Sequence, residues 1–101
     1  MNNQEYSIER DLQRKRPTAP RLTPDQIDSV ISHTQYYVFP ETTVTVCCIT
    51  LLNGYSVIGE SAAVSQENFD SKIGEKVSYE NARQKIWALE GYLLKELLFR
   101  S

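Results

Sequence analysis

The sequence predicts a single α+β domain with a short N-terminal helix, an antiparallel β-hairpin sheet and a long C-terminal helix. Three observations carry this prediction: a helix-start signal at residues 23–26, two β-branched runs around Asn53-Gly54, and helical spacing of apolar residues after residue 66. The chain has 101 residues, of which 41% are hydrophobic and 24% charged, which is typical of a globular domain with one core.

The first 22 residues differ in composition from the rest, so we expect residues 1–22 to be a flexible basic arm and residues 23–101 to be the domain. The arm has five basic and three acidic residues, whereas the remainder has six basic and ten acidic. It offers little apolar surface to bury before Leu22. Such an arm could be a solubilising tail, close over an anion or tie subunits together. Its candidate phosphate contacts, ranked below those of the domain, are Arg14, Arg16 and Arg21.

A short helix is predicted to begin at Thr23. A hydroxyl cap, Pro24 in the first turn and Gln26 at the third position form a strong start signal. The helix should end near His33 or Thr34. Residues 36–40 are aromatic and end in proline, which favours an extended segment or edge strand.

A hairpin is predicted over residues 43–64. Asn53-Gly54 between two β-branched runs favours a type I′ turn, in which both central residues have positive φ. A two-residue loop would place Leu52 opposite Tyr55 and Ile49 opposite Ile58. Both faces of this sheet carry apolar side chains, so each face should have a cover.

The chain should be helical from Gln66 to its end, with Ser65 as a candidate cap and Gly74 as a candidate kink. One apolar stripe, with a single step of five near Ser78, comprises Ile73, Val77, Ala82, Ile86, Leu89, Leu93 and Leu97. A second stripe beside it comprises Trp87, Leu94 and Leu98. A hairpin cannot cover that much helix, so we predict a homo-oligomer with this helix in the interface.

Several classes of function are disfavoured by the sequence. The net charge of −2 argues against coating duplex nucleic acid, and the chain has no apolar run of about 20 residues that could span a membrane. The N-terminus lacks the apolar core of a secretory signal, so a cytoplasmic location is expected. His33 has no recognisable partner, and no metal, cofactor or catalytic motif is found. Cys47 and Cys48 are adjacent and are interpreted as small buried residues of a reduced compartment. We expect no enzyme.

A small phosphate-bearing ligand remains chemically possible. A site for such a ligand requires a cationic side chain, an aromatic ring and an amide group, and residues 69–85 include all three. The candidate ligand-binding residues are Phe69, Tyr79, Asn81, Arg83 and Lys85. On a helix, Asn81 and Lys85 lie one turn apart, whereas Arg83 lies on another side. One ligand could contact both sets only between subunits or near the helix start.

The sequence from Asn53 to Leu98 resembles a small tailed-phage and prophage protein family typified by gene 66 of a Shigella phage. The matching motifs are Asn53-Gly54, Val57-Ile58-Gly59, Ser61-Ala62-Ala63, Asn68-Phe69-Asp70, Ile73-Gly74, Asn81-Ala82 and the run from Trp87 to Lys95. One departure is Ala63, where the family usually has cysteine.

This family includes a Thoeris anti-defence sponge, which is a protein that holds cyclic ADP-ribose isomers without cleaving them. Some relatives also bind cyclic oligonucleotides of CBASS immunity and assemble from dimers into hexamers. The resemblance implies a homo-oligomeric, cofactor-free nucleotide trap in the cytoplasm of the infected host.

By position within the motifs, Phe69 would stack on adenine, Asn81 would bind a base edge or ribose, and Arg83 and Lys85 would contact phosphates. The competing interpretation makes Phe69 a core anchor and Asn81 a cap at a helix start. The alternative function is a small protein-binding module that inhibits a host factor through its helical surface or basic arm.

Overall fold

A computed structural model describes residues 3–15 and 19–101 of the chain. Its elements are α1 (Asn3–Arg14), α2 (Pro24–Ser29), β1 (Ile31–Val38), β2 (Val44–Leu51), β3 (Ser56–Ala62), a 3-10 turn (Gln66–Asn68) and α3 (Ser71–Arg100). The strands form one antiparallel sheet in the order β1-β2-β3, and α3 packs across one face of it. The predicted α+β fold is confirmed.

The N-terminal segment differs from the expected flexible arm, because it contains helix α1. The helix contacts the domain through two acidic side chains, the buried Glu5 beside Arg83 and Glu9 beside Arg21. Composition alone did not reveal these pairings, since they join groups distant in sequence. The third candidate arginine of the arm, Arg16, lies outside the described residues.

Helix α2 begins as predicted but ends earlier. The Thr23 side chain accepts a hydrogen bond from the Gln26 amide, and the Gln26 side chain accepts one from the Thr23 amide, which completes a capping box. The predicted end near His33 is wrong, because α2 stops at Ser29 and His33 lies in β1 opposite Thr50. The aromatic segment after it belongs to β1, which is an edge strand as predicted.

The predicted hairpin is present, but its turn is one residue longer than expected. The Leu51 amide donates to the Tyr55 carbonyl at 2.8 Å, which closes a three-residue loop. Gly54 has φ of 90°, whereas Asn53 is not among the residues with positive φ. This is a type I turn followed by a left-handed glycine, so the predicted type I′ turn is wrong.

The longer loop shifts the strand register by one residue. Ile49 pairs with Val57, and Cys48 pairs with Ile58, so the predicted pairing of Ile49 with Ile58 is wrong. A shift of one residue changes which side chains share a face. The face under α3 carries Thr45, Cys47, Ile49, Leu51 and Val57.

Within the part of the chain that the structure describes, one sheet face has the cover that the sequence predicts and the other does not. On the opposite face, Cys48 is half-buried, while Tyr37 and Ile58 are 55% and 44% exposed. The adjacent cysteines therefore point to opposite faces. Burial raises the pKa of the Cys47 thiol to about 11.

Helix α3 is capped by Asp70, whose side chain accepts from the Lys72 amide at 2.9 Å. The expected cap, Ser65, precedes only the short 3-10 turn and makes no side-chain capping bond. Gly74 does not interrupt α3, which is one continuous helix.

The face of α3 that packs on the sheet differs from the predicted stripe. Its buried apolar or small residues are Gly74, Ser78, Ala82 and Ile86, while Ile73 and Val77 of the predicted stripe are exposed. Small side chains are needed because α3 lies against the backbone of β3 at Gly59, where a Cβ would clash with Ser78 and Ala82. The predicted stripe joins the packed face only after its step of five near Ser78, at Ala82 and Ile86.

The core is small. Its buried hydrophobic residues are Ile27, Cys47, Ile49, Leu51, Val57, Ala82 and Ile86. Each of the larger aliphatic side chains contributes roughly 1.5–3 kcal/mol by burial. Beyond Ile86, by contrast, α3 continues for more than three turns without another buried residue. Among the described residues, no helix combines the length and apolar character required to cross a membrane.

Candidate functional site

An open groove lies between the free edge of β3 and the middle of α3. We call it the β3–α3 groove. It measures about 490 Å³ and is lined by Tyr55, Ser56, Val57, Ile58, Lys85, Ala88, Leu89 and Tyr92. Small-molecule sites have volumes of about 300–1,000 Å³. The volume of the groove lies within this range, so it is suited to a ligand of nucleotide size.

Helical spacing brings the α3 side of the groove together. Lys85, Leu89 and Tyr92 are separated by four and three residues and therefore lie on one side of the helix. Tyr55 enters from the end of the hairpin turn. Tyr55 and Tyr92 are 58% and 63% exposed, so each ring has an accessible surface.

The β3 side of the groove presents backbone groups. The Tyr55 carbonyl points toward β2, where it accepts from Leu51. Antiparallel alternation then directs the backbone groups of Ser56 and Ile58 away from β2. The same alternation explains why the Glu60 carbonyl is available to accept a hydrogen bond from the Asn81 side chain at 2.8 Å.

These groups suit a phosphate-bearing aromatic ligand. The Lys85 ammonium can donate to a phosphate, the tyrosine rings can stack on a base, and edge amides and carbonyls can pair with a base edge. The groove thus contains a cation, aromatic rings and amide groups, although of its residues only Lys85 is predicted from the sequence to bind a ligand.

Phe69 occupies a separate and smaller site. It lines a cleft of about 100 Å³ at the start of α3, together with residues that include Thr43 and Val77. The rise of about 1.5 Å per helical residue places this cleft roughly 20 Å from Lys85. One compact ligand could contact Phe69 and Lys85 together only if they came from different subunits.

Tyr79 and Asn81 contact the sheet. Tyr79 is half-buried and packs against the core. It lies near Tyr36, whose pKa is raised to about 12, chiefly by burial and also by the neighbouring Cys47 and Glu75. Asn81 lies within α3 rather than at a helix start, and its bond to the Glu60 carbonyl joins α3 to β3. The interpretation of Asn81 as a cap is wrong.

The structure gives Arg83 a different role from the phosphate contact expected for it. Its side chain is fully buried on the side of α3 that faces α1 and α2. It donates to Glu5, to Asp28 at 2.5 Å and to the Pro24 carbonyl at 3.1 Å. Burial alone would lower the pKa of Arg83, but hydrogen bonds to the two carboxylates raise it overall. In this conformation Arg83 cannot reach a ligand in the β3–α3 groove.

Two groove residues, Tyr55 and Tyr92, are not among the ligand-binding residues predicted from the sequence. Tyr92 lies seven residues after Lys85, so helical periodicity alone could have assigned both to one face. Tyr55 could not be placed in the groove from the sequence, because the predicted β2–β3 register differs by one residue from the observed one.

A metal site is not suggested by the geometry. Within residues 3–15 and 19–101, no group of three or more His, Cys, Asp or Glu side chains is arranged to hold an ion. His33 lies at the exposed side of β1, where its Nδ1 is 3.2 Å from the Ser32 hydroxyl.

Comparison with known families identifies one match. The model of the phage protein (N4 Gp49/phage Sf6 gene 66) family matches residues 22–98, about three quarters of the chain, including the whole hairpin and nearly all of α3. No curated protein and no solved structure matches the chain.

Proposed function

We propose that this chain, which belongs to the phage protein (N4 Gp49/phage Sf6 gene 66) family, sequesters cyclic nucleotide messengers of bacterial immunity without cleaving them. The messengers would be cyclic ADP-ribose isomers of Thoeris and, in addition, cyclic oligonucleotides of CBASS. Sequestration in the host cytoplasm would lower the free messenger concentration and so prevent activation of the defence effector.

The observation that supports this proposal most strongly is the β3–α3 groove. Lys85 lies there with two exposed tyrosine rings and the outward backbone groups of β3. A charge-assisted hydrogen bond contributes about 1.5–3 kcal/mol, which is a sizeable share of a micromolar affinity. Sequestration requires no acid–base pair, so the groove has only to bind the messenger.

Oligomerisation is part of the proposal. Beyond the groove, the end of α3 exposes a group of large apolar side chains: Leu93, Leu97, Leu98 and Phe99. Burial against a second copy would remove this surface from water. Only in a dimer, or a hexamer of three dimers, could one compact ligand contact the Phe69 cleft of one subunit and the groove of another.

The same apolar surface favours a second candidate function, binding and inhibition of a host protein. An exposed helix face of this kind can also dock into a partner's groove. The two functions differ in whether the purified protein takes up a nucleotide, which makes them separable by one experiment.

Uptake and heat release test the proposal. The protein is incubated with cyclic ADP-ribose isomers or cyclic trinucleotides, freed of unbound ligand and denatured, and the supernatant is analysed by mass spectrometry. We expect intact ligand in stoichiometric amount. Altered ligand would indicate a hydrolase, and no uptake would favour the protein inhibitor.

Lys85→Ala should weaken uptake by roughly 10- to 100-fold, the loss of one charge-assisted bond. Lys76→Ala is the matched control, because Lys76 is exposed on the opposite side of the same helix. Equal losses in both variants, or none in Lys85→Ala, would exclude the groove as the binding site.

A further inference from the structure

Helix α1 is held to the domain by charge more than by apolar packing. Among its described side chains, only Glu5 is buried, and Ile8 is 51% exposed. Its second attachment is the pair between Glu9 and Arg21. Apart from the half-buried Tyr6 and Leu12, a helix attached in this way loses little hydrophobic burial when it moves.

The contact between Glu5 and Arg83 uses a single nitrogen of the guanidinium. Both carboxylate oxygens of Glu5 accept from the same atom, Nε of Arg83, at 2.9 and 3.1 Å. Guanidinium groups bind oxyanions most strongly through two parallel N–H donors. The second and third nitrogens of Arg83 are instead directed to Asp28 and the Pro24 carbonyl. Glu5 is therefore a one-donor occupant of an arginine site.

A pocket adjoins this contact. We call it the α1 pocket. It has a volume of about 210 Å³ and is lined by Gln4, Glu5, Ile8, Gln84 and Trp87. The Trp87 indole nitrogen is buried and has no hydrogen-bond acceptor within the described part of the chain. A buried donor without an acceptor costs roughly 1–3 kcal/mol. Because this nitrogen has no accessible surface in the present conformation, an oxyanion reaches it only when the lining of the pocket moves.

We propose that Arg83 and the α1 pocket form a second binding site, for a small singly charged oxyanion of the carboxylate or phosphodiester class, and that Glu5 occupies it in the absence of ligand. The ligand takes the place of the Glu5 carboxylate on Arg83 and displaces the first turn of α1. Trp87 and the Gln84 side chain lie beside it as further hydrogen-bonding groups.

The charge of the ligand follows from the neighbouring acid. Asp28 remains on Arg83 and would repel a doubly charged phosphate more strongly than a monoanion. Replacing the Glu5 carboxylate by one monoanion leaves the net charge around the buried Arg83 guanidinium unchanged. The pocket also limits the size of the ligand, because its volume is below the roughly 300 Å³ at the lower end of small-molecule sites. This site is independent of the β3–α3 groove.

The test uses the full chain and Glu5→Ala, which removes the resident carboxylate. Acetate and dimethyl phosphate are titrated separately, with chloride at matched ionic strength, and the fluorescence of Trp87, the single tryptophan, is recorded. We expect a saturable change with at least one oxyanion, at a half-saturating concentration at least tenfold lower than in the wild-type chain. The wild type requires more anion because its own Glu5 competes intramolecularly.

Asp11→Ala is the matched control, since it removes an exposed acid of the same helix that pairs with Arg14 and not with Arg83. It should behave as the wild type. Saturation by acetate alone would identify the ligand as a carboxylate, and saturation by dimethyl phosphate would identify a phosphodiester. Responses to both anions no greater than to chloride would overturn the proposal.

If Glu5→Ala does not fold, the wild-type chain provides the second measurement. Hydrogen exchange of the α1 amides should accelerate at high concentrations of the effective anion and not in chloride of equal ionic strength. Equal exchange in the two salts would overturn the proposal as well.

Discussion

Gly59 is the residue on which the packing of α3 against the sheet depends most. Its backbone touches the helix directly, so any side chain there must push α3 away. Gly91 offers a contrast within the helix itself, because a Cβ there would meet only the Leu22 side chain at 3.9 Å.

We therefore expect Gly59→Ala to destabilise the protein by about 3 kcal/mol, since the clash is with backbone that cannot rotate aside. Gly91→Ala should stabilise it by about 0.5–1 kcal/mol, because alanine is the better helix former. Urea unfolding of the two variants measures both effects. If the urea midpoint of Gly59→Ala equals that of the wild type, α3 does not lie this close to β3.

At the residue scale, the sequence predicted local chemistry better than distant contacts. The capping box at Thr23 and the turn glycine at Gly54 were predictable, because their partners lie within a few residues. The role of Arg83 was not, since its acidic partner Glu5 is 78 positions away in the chain. Burial of an arginine depends on such a pairing and cannot be deduced from spacing alone.

Among the secondary-structure elements, α1 is the one whose docking should respond to pH. Glu9 faces Arg21 from the following segment and Gln13 from its own helix. The hydrogen bond from Arg21 is the main cause that holds the pKa of Glu9 below its ordinary value of 4.5.

The pKa of Glu9 is lower in the folded than in the unfolded chain. The stabilisation from the Glu9–Arg21 pair is therefore complete above about pH 4.5 and is lost as the pH falls through the lowered pKa. Backbone NMR shifts of α1, followed from pH 6 to pH 2, should therefore move toward unstructured values. In Glu9→Gln, the change in chemical shift that accompanies protonation of Glu9 should be absent. An unchanged low-pH transition in that variant would assign the effect to another acid.

The existence and type of the main elements could be predicted, whereas their boundaries and register could not. β-branched runs and a turn signal indicated the hairpin, but two- and three-residue loops share the Asn53-Gly54 pattern. The end of α2 was missed because Val30 and Ile31 continue a helical stripe, although pairing with β2 draws Ile31 into a strand. The small-residue face of α3 was missed for a similar reason, since close approach to Gly59 favours small over large apolar residues.

For the whole molecule, the dominant feature is the contrast between a small core and a large exposed apolar surface at the end of α3. Among the described residues, seven buried hydrophobic side chains form the core, while Leu93 and Phe99 remain 54% and 78% exposed. This contrast was predictable from the apolar stripes of the sequence, and it supports the proposed assembly. The groove itself required the three-dimensional structure, because it joins the edge of β3 to a helix thirty residues later.

A crystal structure of the protein with a bound cyclic ADP-ribose isomer tests the proposed function most directly. We expect the adenine or a ribose against Tyr55 or Tyr92, and a phosphate oxygen within hydrogen-bonding distance of Lys85 Nζ. A ligand bound at another place in the protein, with the β3–α3 groove empty, would contradict this account.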